Sequence, residues 1–303
     1  MRFDLDKPFC DDLPVKPRKD LGKVFVTGAT GYIGSHLVVE LKHRGYDVKV
    51  LVRSELPDDE DRFSDVEVVV GDALDYESLK SSMEGIEIAF YLMHSLLLDK
   101  KDFEAAELLV ASNFKRAAEE NNIKRIIYLG GLGDKKDDLS KHLSSRLRVA
   151  DELSKGKVPV TVLRAAIIIG SGSASFEIVK NIAKNAPFIL LPKWTKTFCQ
   201  PIGICDVIKY LVGCMELDET TGNSYDIGST NILSYEDVLR IAAELLHKKR
   251  IFIKCFISAP SLYSYLASLF APVPARIIFA LIIGGRNNVV CQNNNIKKIL
   301  NFK

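Results

Sequence analysis

Short runs of β-branched and aliphatic residues alternate with longer segments of helical period from Lys23 onward. This alternation is typical of β-α-β units that build a parallel sheet. The helical segments, which begin near Tyr32, Tyr76, Asp102 and Lys141, are long enough for right-handed crossovers. We therefore expect an α/β fold with a doubly wound parallel sheet. The predicted strands are Lys23–Gly28, Val48–Val52, Val66–Val70, Ile86–Leu92, Arg125–Gly130 and Val160–Arg164.

The alternation of predicted strands and helices ends after Gly170, where strands become few and stretches rich in Gly, Ser and Pro appear. A strand at Phe198–Ile202 followed by a helix at Ile204–Met215 predicts a return to the main sheet. The predicted organisation is an N-terminal arm (residues 1–20), a sheet domain (21–170, also receiving 198–230), and a smaller, mainly helical substrate or lid region (171–197 and 231–303).

A glycine-rich turn directly follows the first predicted strand and opens the first predicted helix. Gly28, Gly31 and Gly34 have the spacing of a turn that binds the pyrophosphate of a dinucleotide at a helix N-terminus. The sheet domain is thus predicted to be a Rossmann-type dinucleotide-binding domain. Its candidate cofactor-binding residues in the turn are Gly28, Thr30, Gly31, Tyr32, Ile33 and Gly34.

The end of the second strand distinguishes NAD from NADP, because a carboxylate there accepts from the ribose 2′-hydroxyl. This chain has Arg53 and Ser54 at that point, which favours a 2′-phosphate and hence NADP(H) over NAD(H). A solvated arginine that caps the strand is the structural alternative. Asp72 and Ala73 follow the third strand, and Asp72 is expected to accept from the adenine amino group, to N-cap the next helix, or both.

Composition excludes several other classes of protein. A net charge of +2 gives no basic field for nucleic acid, so we expect no nucleic-acid partner. The six cysteines are scattered, which predicts no metal site. The charged first twenty residues do not resemble a secretory signal, so we expect a cytoplasmic, reduced compartment and free thiols. The apolar stretch near the C-terminus is broken by Pro260, Pro272, Pro274 and Arg276, so no transmembrane segment is expected.

These motifs resemble the short-chain dehydrogenase/reductase superfamily, in particular its atypical, extended members related to sugar-nucleotide epimerases and to complex I accessory subunits. The resemblance extends from Lys23 to about Gly285 and includes the glycine turn, Gly71-Asp72, and segments after the fourth, fifth and sixth strands. It implies that residues after these strands line the nicotinamide end of the cofactor. The residues so implied are Leu92, Met93, His94, Leu129, Gly130, Gly131 and Ala165.

The chain departs from that superfamily at its catalytic pair, a tyrosine followed four residues later by a lysine. His142 and Arg146 stand at the matching spacing, which places both on one face of a helix. A histidine can do acid/base work near neutral pH, and an arginine can hold the ribose without losing its proton. The replacement is equally compatible with a site that only binds nucleotide, or with an ordinary helix surface.

Three residues are candidates for contact with a small-molecule substrate: His94, Arg164 and Gln200. A capping role for His94, and a structural ion pair of Arg164 with a carboxylate such as Asp206, are the alternatives. The apolar C-terminal region is mostly expected to be core. If one face lines the pocket, the substrate is bulky and hydrophobic, and a peripheral membrane contact follows as a further possibility.

Three functions are compatible with these residues. The first is an NADP(H)-dependent oxidoreductase that reduces a carbonyl or an activated double bond, with His142 as proton donor and Arg146 on the ribose. The second is a non-catalytic NAD(P)-binding sensor or a complex-assembly protein. The third, a nucleotide-sugar epimerase or dehydratase, is disfavoured by Arg53 and by the apolar C-terminal region. The sequence specifies neither the substrate nor the oligomeric state.

Overall fold

The strands and helices follow one another in the order that the hydrophobic pattern predicts. The computed structural model describes residues 8–55, 63–94, 103–133, 139–257 and 259–301. Its strands are β1 Lys23–Thr27, β2 Val48–Val52, β3 Glu67–Val70, β4 Ile86–Tyr91, β5 Arg125–Gly131, β6 Val160–Ala165, β7 Ile168–Ile169, β8 Phe188–Pro192, β9 Phe198–Cys199, β10 Ile202–Gly203, β11 Ser224–Ile227, β12 Leu233–Ser234 and β13 Ile251–Cys255. Its helices are α1 Tyr32–His43, α2 Tyr76–Ser82, α3 Phe103–Glu120, α4 Lys141–Ser154, α5 Ala174–Asn185, α6 Ile204–Glu216, α7 Tyr235–Leu245, α8 Pro260–Ser268, α9 Ala275–Gly284 and α10 Ile296–Ile299.

Seven of these strands form one parallel sheet in the order β11-β6-β5-β4-β1-β2-β3. Both faces of the sheet are covered, because alternate residues of each strand point to opposite sides. In β1, Val24 and Val26 pack with α1 and α6, whereas Phe25 packs with α2, α3 and α4. All three side chains are fully buried. The predicted doubly wound, Rossmann-type α/β fold is therefore confirmed, with the first six strands within one residue of their predicted ends.

The predicted strand Phe198–Ile202 is wrong in its position. It is divided into β9, which pairs antiparallel with β12, and β10, which pairs with β7, and neither belongs to the main sheet. Pro201 lies at the division and has no N–H to give to a ladder. The strand that completes the main sheet is β11, which comes after α6 and pairs with β6.

The N-terminal segment packs onto the outer side of the α1 and α6 layer. Cys10 and Leu13 are buried there. Arg44, at the end of α1, donates to the carbonyl oxygen of Cys10 and forms an ion pair of 2.8 Å with Glu216 at the end of α6. Tyr46 donates its hydroxyl to the same carboxylate at 2.6 Å. A buried polar network therefore joins the N-terminal segment to two helices of the sheet domain.

The C-terminal region lies beyond the carboxyl ends of the main strands and contains α5, α7, α8 and α9. It also has a two-stranded parallel ribbon of β8 and β13, which the sequence pattern did not predict. One core cluster holds α8 and α9 together through Tyr263, Ala271, Ile278 and Ile282. Across the residues that are described, no helix is both long and apolar enough to cross a membrane.

Candidate functional site

The candidate site lies at the carboxyl edge of the main sheet, between β1 and β4. The strand order reverses there, so α1 leaves β1 on one face of the sheet and α3 follows β4 on the other. Thr27 and Tyr91, the last residues of the two strands, are paired neighbours. Ligands of open α/β sheets bind in the crevice that such a reversal creates.

The glycine turn has the close contacts that only glycine allows. Gly28 has a φ of +69°, and a Cβ on it would lie 2.6 Å from the carbonyl oxygen of Leu92. A Cβ on Gly34 would clash with the carbonyl oxygen of Gly28. The turn is closed by the amide of Gly31, which donates to the carbonyl oxygen of Gly28 at 3.0 Å. The three glycines therefore leave a backbone surface at the mouth of the crevice that any side chain would fill.

The N-terminus of α1 opens toward this surface. Gly31 is its N-cap and supplies no side-chain acceptor, and its first turn contains no acidic residue. The first amides of a helix have no acceptor within the helix, and its dipole favours an anion at that end. Tyr32 and Ile33 begin the helix and are half-buried, whereas Thr30 is exposed. We call the backbone surface formed by Gly28, Gly31 and Gly34 the glycine cradle. This cradle and the N-terminus of α1 together fit the diphosphate of a dinucleotide.

The residues predicted for the adenosine end lie next to one another after β2 and β3. Arg53 and Ser54 are exposed just past β2. The amide of Gly71 donates to the carbonyl oxygen of Val52 at 2.8 Å, which holds the loop after β3 beside the end of β2. Asp72, in this loop, is exposed and accepts from the amide of Leu74 at 3.0 Å.

The expectation that Asp72 caps the next helix is wrong. Asp75 is the N-cap of α2 and accepts from the amides of Glu77 and Ser78. Asn113 of α3, which no sequence motif indicated, donates to the carbonyl oxygens of Ala73 and Leu74 at 3.3 and 3.0 Å. Ala73 itself is buried, so α3 fixes the buried side of the loop while Asp72 stays exposed.

Arg146 holds together two segments predicted to line the nicotinamide end. Its guanidinium donates to the carbonyl oxygens of Met93, after β4, and Leu129, in β5, at 3.0 and 2.5 Å. It also lies 4.9 Å from the ring centroid of Tyr128, whose hydroxyl donates to the carbonyl oxygen of Arg146. The arginine is 6% exposed and forms no ion pair with a carboxylate of the described residues. The site therefore contains a buried positive charge that is solvated by main-chain dipoles.

His142 and His94 form a stacked pair beside this arginine. Their ring centroids are 4.8 Å apart and their planes differ by 3°. Nδ1 of His142 is buried and has no hydrogen-bond partner among the described residues. Burial, and secondarily the charge of Arg146, lowers the pKa of His142 to about 4. Its imidazole is therefore neutral at neutral pH, in contrast to the expectation of a histidine that titrates there.

His94 has the more open position of the two. About a third of its side chain is exposed, while one face of its ring covers His142. Burial of that packed face lowers its pKa well below the usual value, and the charge of Arg146 and the competing protonation of His142 add to this effect. At neutral pH the pair therefore consists of two neutral rings that can donate or accept hydrogen bonds.

Two polar residues behind the histidines were missed by the sequence analysis. Glu107 of α3 is 3% exposed, and its Oε1 lies 3.8 Å from Nδ1 of His94. Ser145 of α4 is also buried and donates its hydroxyl to Oε2 of Glu107. Ser145 stands three residues after His142 on the same helix, which was its one sequence signal. Glu107 had none, because its place follows from the packing of α3 against α4.

The other residues predicted at this end lie further along the sheet. Gly131 is paired with Ala165 of β6, so both line the carboxyl edge, and a Cβ on Gly131 would contact Leu143 and Arg146. Gly130 could not carry a side chain, because a Cβ would lie 2.9 Å from the ring of Tyr128. These glycines allow α4 to pack closely on β5.

Arg164 and Gln200 use their polar groups within the fold. Arg164 forms an ion pair of 2.7 Å with Asp226. The predicted structural ion pair is therefore present, but its partner is Asp226 and not Asp206. Gln200 donates to the carbonyl oxygen of Ser229 and accepts from the amide of Cys291 at 3.0 Å. The structure thus brings together His94, His142 and Arg146 but not these two. No cluster of metal-ligating side chains occurs within the described residues.

Comparison with known proteins gives results that agree with this geometry. Residues 28–180 match a protein family described as NAD(P)H-binding. Among curated proteins, the chain is similar to the mitochondrial NADH dehydrogenase (ubiquinone) 1 alpha subcomplex subunit 9 of Dictyostelium discoideum, with 24% identity over 225 residues, 71% of this chain and 61% of that protein. It is similar to the ceramide reductase of Caulobacter vibrioides, with 24% identity over 238 residues, 75% of this chain and 72% of that protein. The chain spans less than two thirds of the length of the Dictyostelium protein.

Solved structures show the same fold. A nucleoside-diphosphate-sugar epimerase from Staphylococcus aureus superposes with a TM-score of 0.74 and 17% identity, covering 93% of this chain and 96% of that chain. The triphenylmethane reductase of Citrobacter sp., complexed with NADP(H), superposes with a TM-score of 0.72 and 17% identity, covering 91% and 94%. At this identity the likeness concerns the fold alone.

Proposed function

This chain belongs to the NAD(P)H-binding family, and from that premise we propose that it is an NADP(H)-dependent reductase of a hydrophobic carbonyl or enone substrate. The observation that carries the proposal is the buried, unpartnered Nδ1 of His142 beside the ends of β4 and β5. A buried polar atom without a partner costs free energy unless a ligand satisfies it. A substrate carbonyl oxygen is a ligand of the right chemistry.

The glycine cradle and the N-terminus of α1 are proposed to hold the diphosphate of the cofactor. Arg53 is exposed at the end of β2 and forms no ion pair with described residues, so its guanidinium is available for a 2′-phosphate. Asp72 stands close by for the adenine. When bound, NADPH supplies the hydride.

The chain's own residues position and polarise the substrate. Because the pKa of His142 is about 4, the residue is proposed to act as a neutral hydrogen-bond donor to the carbonyl oxygen, not as an imidazolium acid. Its positive neighbour Arg146 stabilises the negative charge that develops on that oxygen, and it fixes the carbonyl groups of Met93 and Leu129. The protonation of the product then comes from solvent or through the more exposed His94.

A hydrophobic substrate is supported by the surroundings of the first turn of α4. Leu143 packs in an apolar cluster with Leu132, Ile167, Val238 and Val289. The segment after α9 reaches the same turn, since the amide of Ser140 donates to Oδ1 of Asn287 at 3.2 Å. The name of the Caulobacter relative, ceramide reductase, indicates a lipid substrate for that protein.

The proposal is tested by following NADPH oxidation against long-chain ketones, enones and quinones. Wild type is compared with His142→Gln and with His43→Gln, an exposed histidine on α1. Loss of a donor to a developing oxyanion is expected to lower kcat on the order of a hundredfold in His142→Gln, with the affinity for NADPH unchanged. The His43→Gln control should match wild type. Turnover by His142→Gln at the wild-type rate would contradict the proposed role.

A non-catalytic function is the second candidate, and one observation favours it. Arg146, Arg164 and Gln200, three of the polar groups expected at the site, are engaged by the fold itself. A site of this kind can bind nucleotide to stabilise a larger assembly, and the Dictyostelium relative is by name a subunit of such an assembly. Tight NADPH binding with no oxidation of it by any substrate of the panel would favour this candidate.

A further inference from the structure

The charge of the chain is divided unevenly along its length. Of its 41 lysines and arginines, nine lie in residues 245–303, and this segment contains no aspartate or glutamate. The first 244 residues therefore carry 32 basic and 39 acidic side chains, although the whole chain is only +2. The C-terminal segment is thus a cationic part of an otherwise acidic molecule.

The same segment presents apolar side chains to solvent. In the loop before α8, Phe256 is 81% and Ile257 61% exposed. Leu262, Tyr265 and Leu269 follow at helical spacing and are 46%, 59% and 60% exposed, so they form one apolar stripe along α8. We call these five residues the lid surface.

The ribbon of β8 and β13 adds to this surface. Phe188 is paired with Ile251, so their side chains lie on the same face, and Ile253 follows two residues later on that face. All three are exposed. β13 leads directly into the lid surface through Cys255, which packs with Tyr263 of α8 in one cluster.

The exposed stripe is held in place from its other side. Tyr263 is buried against Ala271, Ile278 and Ile282, and its hydroxyl donates to the carbonyl oxygen of Ile257 at 2.8 Å. The loop and the helix are therefore fixed to each other. The apolar residues of the lid surface are exposed while α8 already has a packed face.

Cationic side chains stand around this apolar surface. Lys248 and Lys249 precede β13, and Lys254 lies within β13 on the strand face opposite to Ile253; all three lysines are exposed. Arg276 in the first turn of α9 is exposed as well. A surface with apolar side chains at its centre and lysines around them is typical of contact with a membrane that contains anionic lipids.

We propose that the lid surface and its lysines dock the protein on anionic membranes. Phe256, Ile257 and the stripe of α8 enter the interface between headgroups and acyl chains, and the lysines bind the headgroups. A second copy of the chain is a poor occupant, because two surfaces of the same positive charge would face each other. Docking does not depend on the proposed reductase activity. If that activity holds as well, α9 connects the two regions: Ile278 and Ile282 pack on Tyr263 of α8, and Asn287, just after α9, accepts from the amide of Ser140 at the start of α4.

Sedimentation with lipid vesicles tests the proposal. We expect the protein to bind vesicles of phosphatidylcholine with phosphatidylglycerol and not vesicles of phosphatidylcholine alone, and high salt should weaken the binding. The triple variant Lys248→Gln, Lys249→Gln, Lys254→Gln should bind on the order of a hundredfold less tightly. Phe256→Asp should also lose binding.

Matched controls separate docking from loss of folding. The triple variant Lys16→Gln, Lys19→Gln, Lys157→Gln removes three exposed lysines outside the cationic segment, and Leu109→Asp alters an exposed leucine of α3. Both should bind like wild type, and all variants should keep the wild-type circular dichroism. No binding to anionic vesicles, equal binding to neutral vesicles, or equal losses in the control variants would overturn the proposal. A dimer seen by light scattering that Phe256→Asp dissociates, without lipid binding, would also overturn it and assign the surface to a second copy.

Discussion

Two features of Gly28 disfavour alanine at this position. Its backbone has a left-handed conformation, and a Cβ on it would meet Leu92, just after β4. A left-handed L-residue costs about 1–2 kcal/mol, and a methyl group 2.6 Å from the carbonyl oxygen of Leu92 must displace that backbone. We expect Gly28→Ala to weaken NADPH binding by more than about tenfold, as measured by calorimetry.

Gly45 provides the matched control for this substitution. Its φ is +80°, but a Cβ there would have no atom within 4 Å. Gly45→Ala should therefore lower the free energy of unfolding by about 1 kcal/mol and leave NADPH binding intact. Equal NADPH affinities for the two variants would show that the turn does not approach the cofactor.

His142 links the site to the pH dependence of stability. Its pKa is about 4 in the folded chain and about 6.5 in an unfolded one. Between these values the unfolded chain binds a proton that the folded chain excludes, so this contribution to stability is complete above pH 6.5 and is lost as the pH falls toward 4. The loss amounts to roughly 3 kcal/mol.

The measurement is urea unfolding of wild type, His142→Gln and His43→Gln across this pH range. Titrating carboxylates affect all three proteins alike, so the difference between them isolates His142 together with His94, which is stacked on it. His142→Gln should lose less stability on acidification than wild type, and His43→Gln should follow wild type. Parallel curves for wild type and His142→Gln would mean that His142 titrates normally.

The residue patterns predicted part of this site and not all of it. The four-residue spacing of His142 and Arg146 predicted one helix face, and the two residues do lie together beside β4 and β5. Glu107 and Ser145 become polar neighbours of the histidines only because α3 packs on α4. A contact of that kind depends on the relative position of two helices, which no local pattern specifies.

Among the elements, the strands buried on both faces were the most predictable. β1 and β2 are short apolar runs bounded by turns, and their ends follow from that pattern. The segment Phe198–Ile202 has the same local character, but tertiary contacts with β7 and β12 divide it. Short strands at the margin of a fold are set by their partners more than by their own sequence.

The network at the ends of α1 and α6 is a buried polar link between elements outside the site. The Glu216 side chain is fully buried, and that of Arg44 is 9% exposed. Removing one partner leaves an uncompensated buried charge, which costs about 3–5 kcal/mol. Glu216→Ala should lower the free energy of urea unfolding by that amount.

The partly exposed pair of Glu236 and Arg240 on α7 is the control for this network. Its partners are one turn apart on a solvated helix face, so Glu236→Ala should cost less than about 1 kcal/mol. A similar small loss for both glutamate variants would show that the N-terminal segment contributes little to the stability of the sheet domain.

At the scale of the whole molecule, an acidic body with a dinucleotide cradle carries a cationic, partly apolar C-terminal region. The division into a cofactor domain and a substrate or lid region stays a prediction, although the contact of Asn287, just after α9, with the start of α4 agrees with it. Composition averaged over the chain concealed the charge division, because the two parts nearly cancel. The distribution of charge along the sequence, not its sum, was the informative quantity.

The central claim is that the turn from Gly28 to Gly34 and Arg53 hold NADP(H). Isothermal titration of the purified chain with NADPH and NADH tests it most directly, using wild type, Arg53→Glu and the control Lys124→Glu, which reverses an exposed charge at the amino edge of the sheet. We predict that NADPH binds more tightly than NADH to wild type and to the control. Arg53→Glu should bind NADPH about tenfold to a hundredfold less tightly than wild type, and its affinity for NADH should not decrease. Absence of binding heat with either nucleotide would contradict the account.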